Sequence, residues 1–276
     1  MAKKLPEENK DEQEKEYLAI FAIFTKLLGS ISKDTDQWEV LEELMALRAD
    51  FAIHHAIKGF GMDYEKALEL VRNYSGNLSN EDKERKTILV AAIDNLVDFA
   101  VCEEYQMAQE LPDFDEDDLD EVLQDELDGI FHKYNFRYAN VENQDIEYAM
   151  IVAAGLLGIS SNTELTFTTM GDERVRPWHL QYEGFSAPKH SFPAWLVPPI
   201  EHRCRCYLEE GNIFGALQQV SAKKMPEMPE WFNPTFKESV AFGGRIFSDE
   251  HNYFKCDAQH KERLGKISQR IKSKYL

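Results

Sequence analysis

Two cysteines at 204 and 206, with histidines at 179 and 202, are the residues of this chain whose types and spacing most readily do chemistry. Thiolate sulfur and imidazole nitrogen are donors that zinc favours, and His179, His202, Cys204 and Cys206 together make a four-ligand set. The spacing fits imperfectly. C-x-C is tighter than the usual C-x-x-C, and on an extended chain His202, Cys204 and Cys206 fall on one face, converging only where the strand twists or bends. A second chemistry is nucleophilic: Cys204 or Cys206 attacks, His179 is the base and Asp172 orients it, while Arg203 and Arg205 lower the thiol pKa. The third reading is a hydrogen-bonded lock. In it Asp172 accepts bonds from Arg174 or from turn amides, His179 bonds across a hairpin to a backbone carbonyl, and the cysteines pack in a small core. The lock is the favoured reading, because buried cysteines usually pack rather than react. No cofactor is expected, zinc being the one these residues would accommodate. The chain has no G-x-S-x-G, Walker loop, H-E-x-x-H or G-x-G-x-x-G, and it is expected not to be an enzyme.

These groups lie in a stretch, 172–206, dense in Pro and aromatic residues and short of helical periodicity. The elements around it have to position them. Glu164 to Met170 alternates with β-favouring residues and reads as a strand, as do Gly184 to Phe192 and Arg203 to Leu208. A helix rich in Ala, Ile and Leu is expected near Asp145 to Gly158. Upstream the chain reads as helix throughout. Tyr17, Ile20, Phe21, Phe24, Leu27, Leu28 and Ile31 recur at helical spacing, ending near Gly29-Ser30. A second helix is expected from Thr35 or Asp36 to Gly59 as its stop, a third from Asp63 to Tyr74, and a long fourth from a capping box at Ser79 and Asp82 to about Gln109. Residues 113–128 hold ten Asp or Glu among sixteen and read as a helix with an acidic outer face. A calcium loop is disfavoured there, since Asp118 stands where the loop needs Gly and Gln124 where it needs Glu.

The order and spacing of these pieces resemble the phage Mu F-like minor head proteins, also called phage head morphogenesis proteins. The resemblance rests on the strand Thr166 to Met170, on Asp172-x-Arg174-x-Arg176-x-x-His179, on Gly184, on the Pro-rich run from Phe192-Pro193 to Pro199, and on Cys204-Arg205-Cys206. It covers about residues 145–210. It implies a protein of the phage particle that contacts the portal and other capsid proteins and assists head assembly, with a part in genome packaging or ejection. It implies location in the virion, at the head interior or portal vertex, after synthesis in the host cytoplasm. The chain departs from the family at Arg176-Pro177-Trp178-His179, where many relatives carry C-x-x-C or C-x-x-H, and at His202-Arg203, where many carry Pro-Asn. Both departures weaken the transfer of a metal site. The readings from other classes are a metal-dependent or cysteine-based enzyme and an acidic accessory binding protein.

The expected fold class is α+β and predominantly α. It comprises a charged tail over 1–16, a helical domain over 17–140, a small α+β Mu F-like domain over 141–220, and an extended connector with a basic C-terminal arm over 221–276. At 276 residues with 43% hydrophobic content the chain can bury a sizeable core. Its net charge of −19 disfavours wholesale binding to DNA or an anionic membrane, and its first apolar run is too short to span a bilayer. Four cysteines are too few and scattered for a disulfide framework. The basic end, with Lys261, Arg263, Lys266, Arg270, Lys272 and Lys274, is a candidate contact for a partner or for packaged DNA. Of the pair His54-His55, one ring is expected in the core and the other in water.

Overall fold

The apolar stripe of the first segment forms helix α1, Lys10–Ile31, in a computed structural model that describes residues 9–33, 36–115, 120–211 and 225–276. The helix begins about two turns before Tyr17, because Asn9 caps it by accepting the Glu12 amide. The charged residues expected in a tail are therefore helical from Lys10, and two of them dock. Glu12 meets Lys58 at 2.7 Å and Glu16 meets the His55 ring at 3.0 Å. Helices α2 (Trp38–Phe60), α3 (Tyr64–Val71) and α4 (Asn80–Glu110) follow. The Ser79 hydroxyl caps the helix by accepting the Asp82 amide at 3.0 Å, and it donates to the Asp82 carboxylate at 2.8 Å, a side-chain bond in place of the backbone one of a full capping box.

The stop of α2 is Gly61, with φ +76°, rather than Gly59. Gly59 instead permits a close approach. A Cβ there would lie 2.3 Å from the Glu147 carbonyl oxygen, so α2 crosses the next core helix backbone to backbone. That helix is α6, Ala139–Leu156, and a π-helical stretch, Lys133–Tyr138, joins it to α5, Glu121–His132. The expected acidic helix thus starts later than the acidic block; Asp118 and Leu119 lie outside the described residues.

Helices α2, α4 and α6 form the centre, and their shared interior holds charge. Arg48, 1% exposed, donates to Glu103 at 2.8 Å, Asn143 at 3.0 Å and Glu142 at 3.2 Å. Glu104 is buried beside them. Burial, reinforced by the Glu103 charge, pushes both Glu104 and Glu142 well above the ordinary carboxylate range, against the pull of Arg48. His55 is buried between Glu147 at 2.5 Å and Glu16 at 3.0 Å, while His54 is exposed.

After Gly158 the chain makes a three-stranded antiparallel sheet in the order β2-β1-β3. Strand β1 is Glu164–Thr168, β2 is Ser186–Pro188 and β3 is Tyr207–Glu210. Leu165 and Phe167 point inward from β1, paired with Ala187 and Leu208 respectively. The fold is α+β and predominantly α, as expected. Both later strands are shorter than the sequence suggests: 3-10 turns take over after Pro188, and Cys204 and Cys206 precede β3 instead of lying in it.

The end of the chain, expected as an extended arm, returns to the helical core. Asn95 of α4 accepts the Ile246 and Phe247 amides at 3.0 and 2.9 Å and donates to the Phe247 carbonyl at 2.9 Å. After the single-turn helix α7, Pro177–Leu180, the next helix is α8, Ala258–Lys272, which packs on α4. The buried residues make one continuous cluster from Ile20 through the sheet to Tyr275.

Candidate metal centre and its surrounding motif

The motif residues converge around the sheet. After β1, Gly171 turns the chain with φ +68°, and Asp172 accepts the Arg174 amide at 3.1 Å. Arg205 then donates twice to the Asp172 carboxylate, at 2.8 and 2.6 Å, a bidentate pair joining the two ends of the motif. Pro177 opens the single-turn helix α7, Pro177–Leu180, and its fixed φ suits that first position. This turn aims His179 inward. Gly184, with φ +72°, bends the chain back so that its amide meets the Phe167 carbonyl at 2.9 Å. Arg176 pairs with Glu201 and donates to the His202 carbonyl at 2.8 Å. The Arg174 side chain stands in solvent.

At the centre, the donor atoms of His179, Cys204 and Cys206 lie within 4.8 Å of one another, each residue only 2–3% exposed. The closest contact is His179 Nδ1 to Cys206 Sγ at 3.2 Å, in place of the backbone carbonyl expected for this ring. Burial alone would push the Cys204 thiol up, but bonds from Cys206 and His179 outweigh it and hold Cys204 well below the ordinary thiol value. Burial opposes the charged His179 ring, yet Cys204 and Glu201 raise its pKa on balance. The hydrogen bond to Cys204, followed by burial, pushes Cys206 the other way, upward.

His202 does not join them. Its Nδ1 meets Asp145 at 2.8 Å, and its ring stands edge-on to Phe236. The cause is the backbone of Arg203, whose φ of +57° reverses the chain between His202 and Cys204. A left-handed residue other than glycine costs about 1–2 kcal/mol. Here Asp145, 1% exposed, holds the turn by accepting the Arg203 amide at 2.7 Å as well as the His202 ring. The four-ligand set is thus corrected to three. Those three fit zinc in donor type, and their donor atoms, within 4.8 Å of one another, approach the roughly 3–4 Å separation of ligands ~2.0–2.3 Å from an ion; the thiol pKa is lowered at Cys204 and raised at Cys206. Glu201, which sequence reasoning overlooked, lies 3.7 Å from His179 Nε2, an atom buried without a hydrogen-bond partner. A carboxylate behind a ligand histidine is the usual orienting arrangement at a metal. The Pro-rich run that delivers Glu201 gives no sign in sequence of the direction its side chain takes.

The nucleophilic arrangement fares differently. Asp172 is bound to Arg205 and not to His179, and the cysteines are sealed from solvent.

The basic C-terminal residues are largely engaged with the chain's own acids. Arg270 donates to Glu42 at 2.8 Å, and Lys272 meets Asp94 and Asp98 at 2.7 and 2.8 Å. Arg263 lies over the Trp38 ring at 4.0 Å, Lys266 pairs with Glu262, and the Lys274 carbonyl accepts from Arg72. Lys261 borders a cleft beside Cys102 and Cys256.

No family model, no curated protein and no solved structure matches this chain. The resemblance to the Mu F-like proteins rests on the residues between 145 and 210 alone.

Proposed function

We propose that the chain is a minor head protein of a tailed phage, acting in head morphogenesis at or near the portal. The observation that carries this reading is the convergence of the spaced motif into one rigid unit. Asp172 clasps Arg205, His179 meets Cys206, and Gly184 closes on Phe167, so these residues of the resemblance hold the same small sheet together. A sealed, hydrogen-bonded unit of this kind suits an assembly module better than an active site, which needs substrate access. The His179–Cys204–Cys206 cluster is its lock, working without a cofactor. The protein's partners are the portal and neighbouring capsid proteins, and its place is the virion.

The test is co-expression with the portal and major capsid proteins of the phage that encodes this chain, followed by purification of portal rings and of assembled heads. Retention of this chain on the rings, and misassembled heads in its absence, are the expected results. A chain absent from both the rings and the assembling heads would overturn the reading. Metal analysis of the purified protein tests the lock separately: stoichiometric zinc that disappears in a Cys204→Ala, Cys206→Ala double variant would replace it with a metal centre.

A further inference from the structure

An open cleft of about 750 Å³ lies where the π-helical stretch, the turn at 201–203 and the turn at 251–254 meet. Its wall is basic although the chain carries −19 overall: Arg137, Arg176 and Arg203 line it, with His202 and His251. Arg176 is tied to Glu201, but Arg137 and Arg203 are exposed and form no ion pair among the described residues. The carboxylate in the lining, Glu142, is already taken by Arg48 and by the Tyr253 hydroxyl at 3.0 Å. His251 Nδ1 accepts the Tyr253 amide at 3.2 Å, which leaves Nε2 as the ring's N–H donor.

Two backbone irregularities converge on this wall. The π-helix, a form found in well under about 1% of residues and often at functional sites, supplies Phe136, Arg137 and Tyr138. Arg203 occupies the left-handed region that glycine or asparagine would fill without strain, and a fully buried carboxylate is committed to keeping it there. Strain held in this way is characteristic of positions where the side chain has a function.

We infer that the cleft binds a nucleotide, its phosphate held by Arg137 and Arg203 and its base set against the aromatic wall. Guanidinium groups pair with phosphate through planar, two-pronged hydrogen bonds. Two unpaired guanidiniums and a ring donor call for more negative charge than one carboxylate brings, and a phosphate monoester carries about −1.5 to −2. The volume lies within the ~300–1,000 Å³ of small-ligand sites and exceeds what a bare anion fills. Phe136, Tyr138 and Tyr253 offer rings, on which nucleobases stack. The same chemistry is met by a free nucleotide or by one residue of a single strand. The inference is independent of the head-protein reading.

Calorimetric titration of the full chain with AMP, adenosine, inorganic phosphate and a short oligothymidylate tests it. AMP or the oligonucleotide should saturate one site and bind about tenfold or more tighter than adenosine or phosphate alone. The tighter of the two identifies the source as a free nucleotide or a strand. Arg203→Gly should weaken that binding about tenfold while the melting temperature holds or rises, because the variant relieves the turn. Arg137→Ala should weaken it similarly with the melting temperature unchanged. Absence of saturable binding by both AMP and the oligonucleotide, adenosine binding as tightly as AMP, or affinity unchanged in both variants would each overturn the inference.

Discussion

Asp145 accepts two hydrogen bonds from consecutive residues, the His202 ring and the Arg203 amide, and in doing so decides which residues can gather around Cys204 and Cys206. Replacing it by alanine removes both acceptors at once; the His202 ring is 39% exposed and Arg203 is exposed, so water takes up part of the loss, leaving about 1 kcal/mol for each bond. Asp145→Ala is therefore expected to lower the urea midpoint, with a larger effect than Asp172→Asn, whose pair with Arg205 lies at the surface and is screened by solvent. Equal losses in the two variants would show that Asp145 is not the anchor of the turn. At this scale the sequence carried the types of the reactive residues but not their partners. His179, Cys204 and Cys206 were legible as candidate partners by residue type; the β1–β2 connection carries the histidine and the segment entering β3 carries the cysteines, and β2 and β3 both pair with β1. His202 was misplaced, since neither its partner on α6 nor the left-handed turn at Arg203 leaves a mark on local composition.

Elements whose boundaries depend on neighbours in sequence were the most readable. The Ser79 cap on the Asp82 amide fixes the start of α4, and Ser79→Ala should cost about 1 kcal/mol in denaturant unfolding. The α1 stripe was equally clear, but its first turn was not: Lys10 to Glu16 shows no apolar periodicity and is ordered through contacts with Lys58 and His55, which follow much later in the chain. The C-terminal segment was misread for the same reason. Its sequence is basic and Pro-rich, and what recruits it is Asn95, which presents the Ile246–Phe247 backbone with amide groups as another strand would. Asn95→Leu removes those three bonds. It should detach residues 246–276 before the bundle melts, seen as early proteolysis near 245 while α2 and α6 remain protected from hydrogen exchange. Protection lost everywhere at once would instead mean that this segment and the bundle unfold as a unit.

Across the whole molecule, stability is tied to protons. The His55 ring is held at about 9 against an ordinary 6.5: burial opposes its charge, and hydrogen bonds to Glu147 and Glu16 more than offset that cost. A pKa raised in the folded state gives stability that is complete below about 6.5 and lost as pH climbs through about 9, here roughly 3 kcal/mol at ~1.4 kcal/mol per tenfold change in proton affinity. The buried acids Glu104 and Glu142 act in the same direction, since their neutral forms are the ones the interior favours. Urea midpoints should therefore fall on the alkaline side, and the fall should be shallower in His55→Gln; a midpoint flat to about pH 9 would contradict this. Arg48→Met strips the charged interior of its cation and should cost about 3–5 kcal/mol. The crossing of α2 over α6 at Gly59 has a consequence for heredity. Any side chain there meets the Glu147 backbone, whereas Gly29, Gly129 and Gly265 on other helices have open space around them. Under random mutation those three sites can drift to alanine and gain helix propensity, while codon 59 stays frozen, a single letter on which the mutual approach of two core helices is inherited.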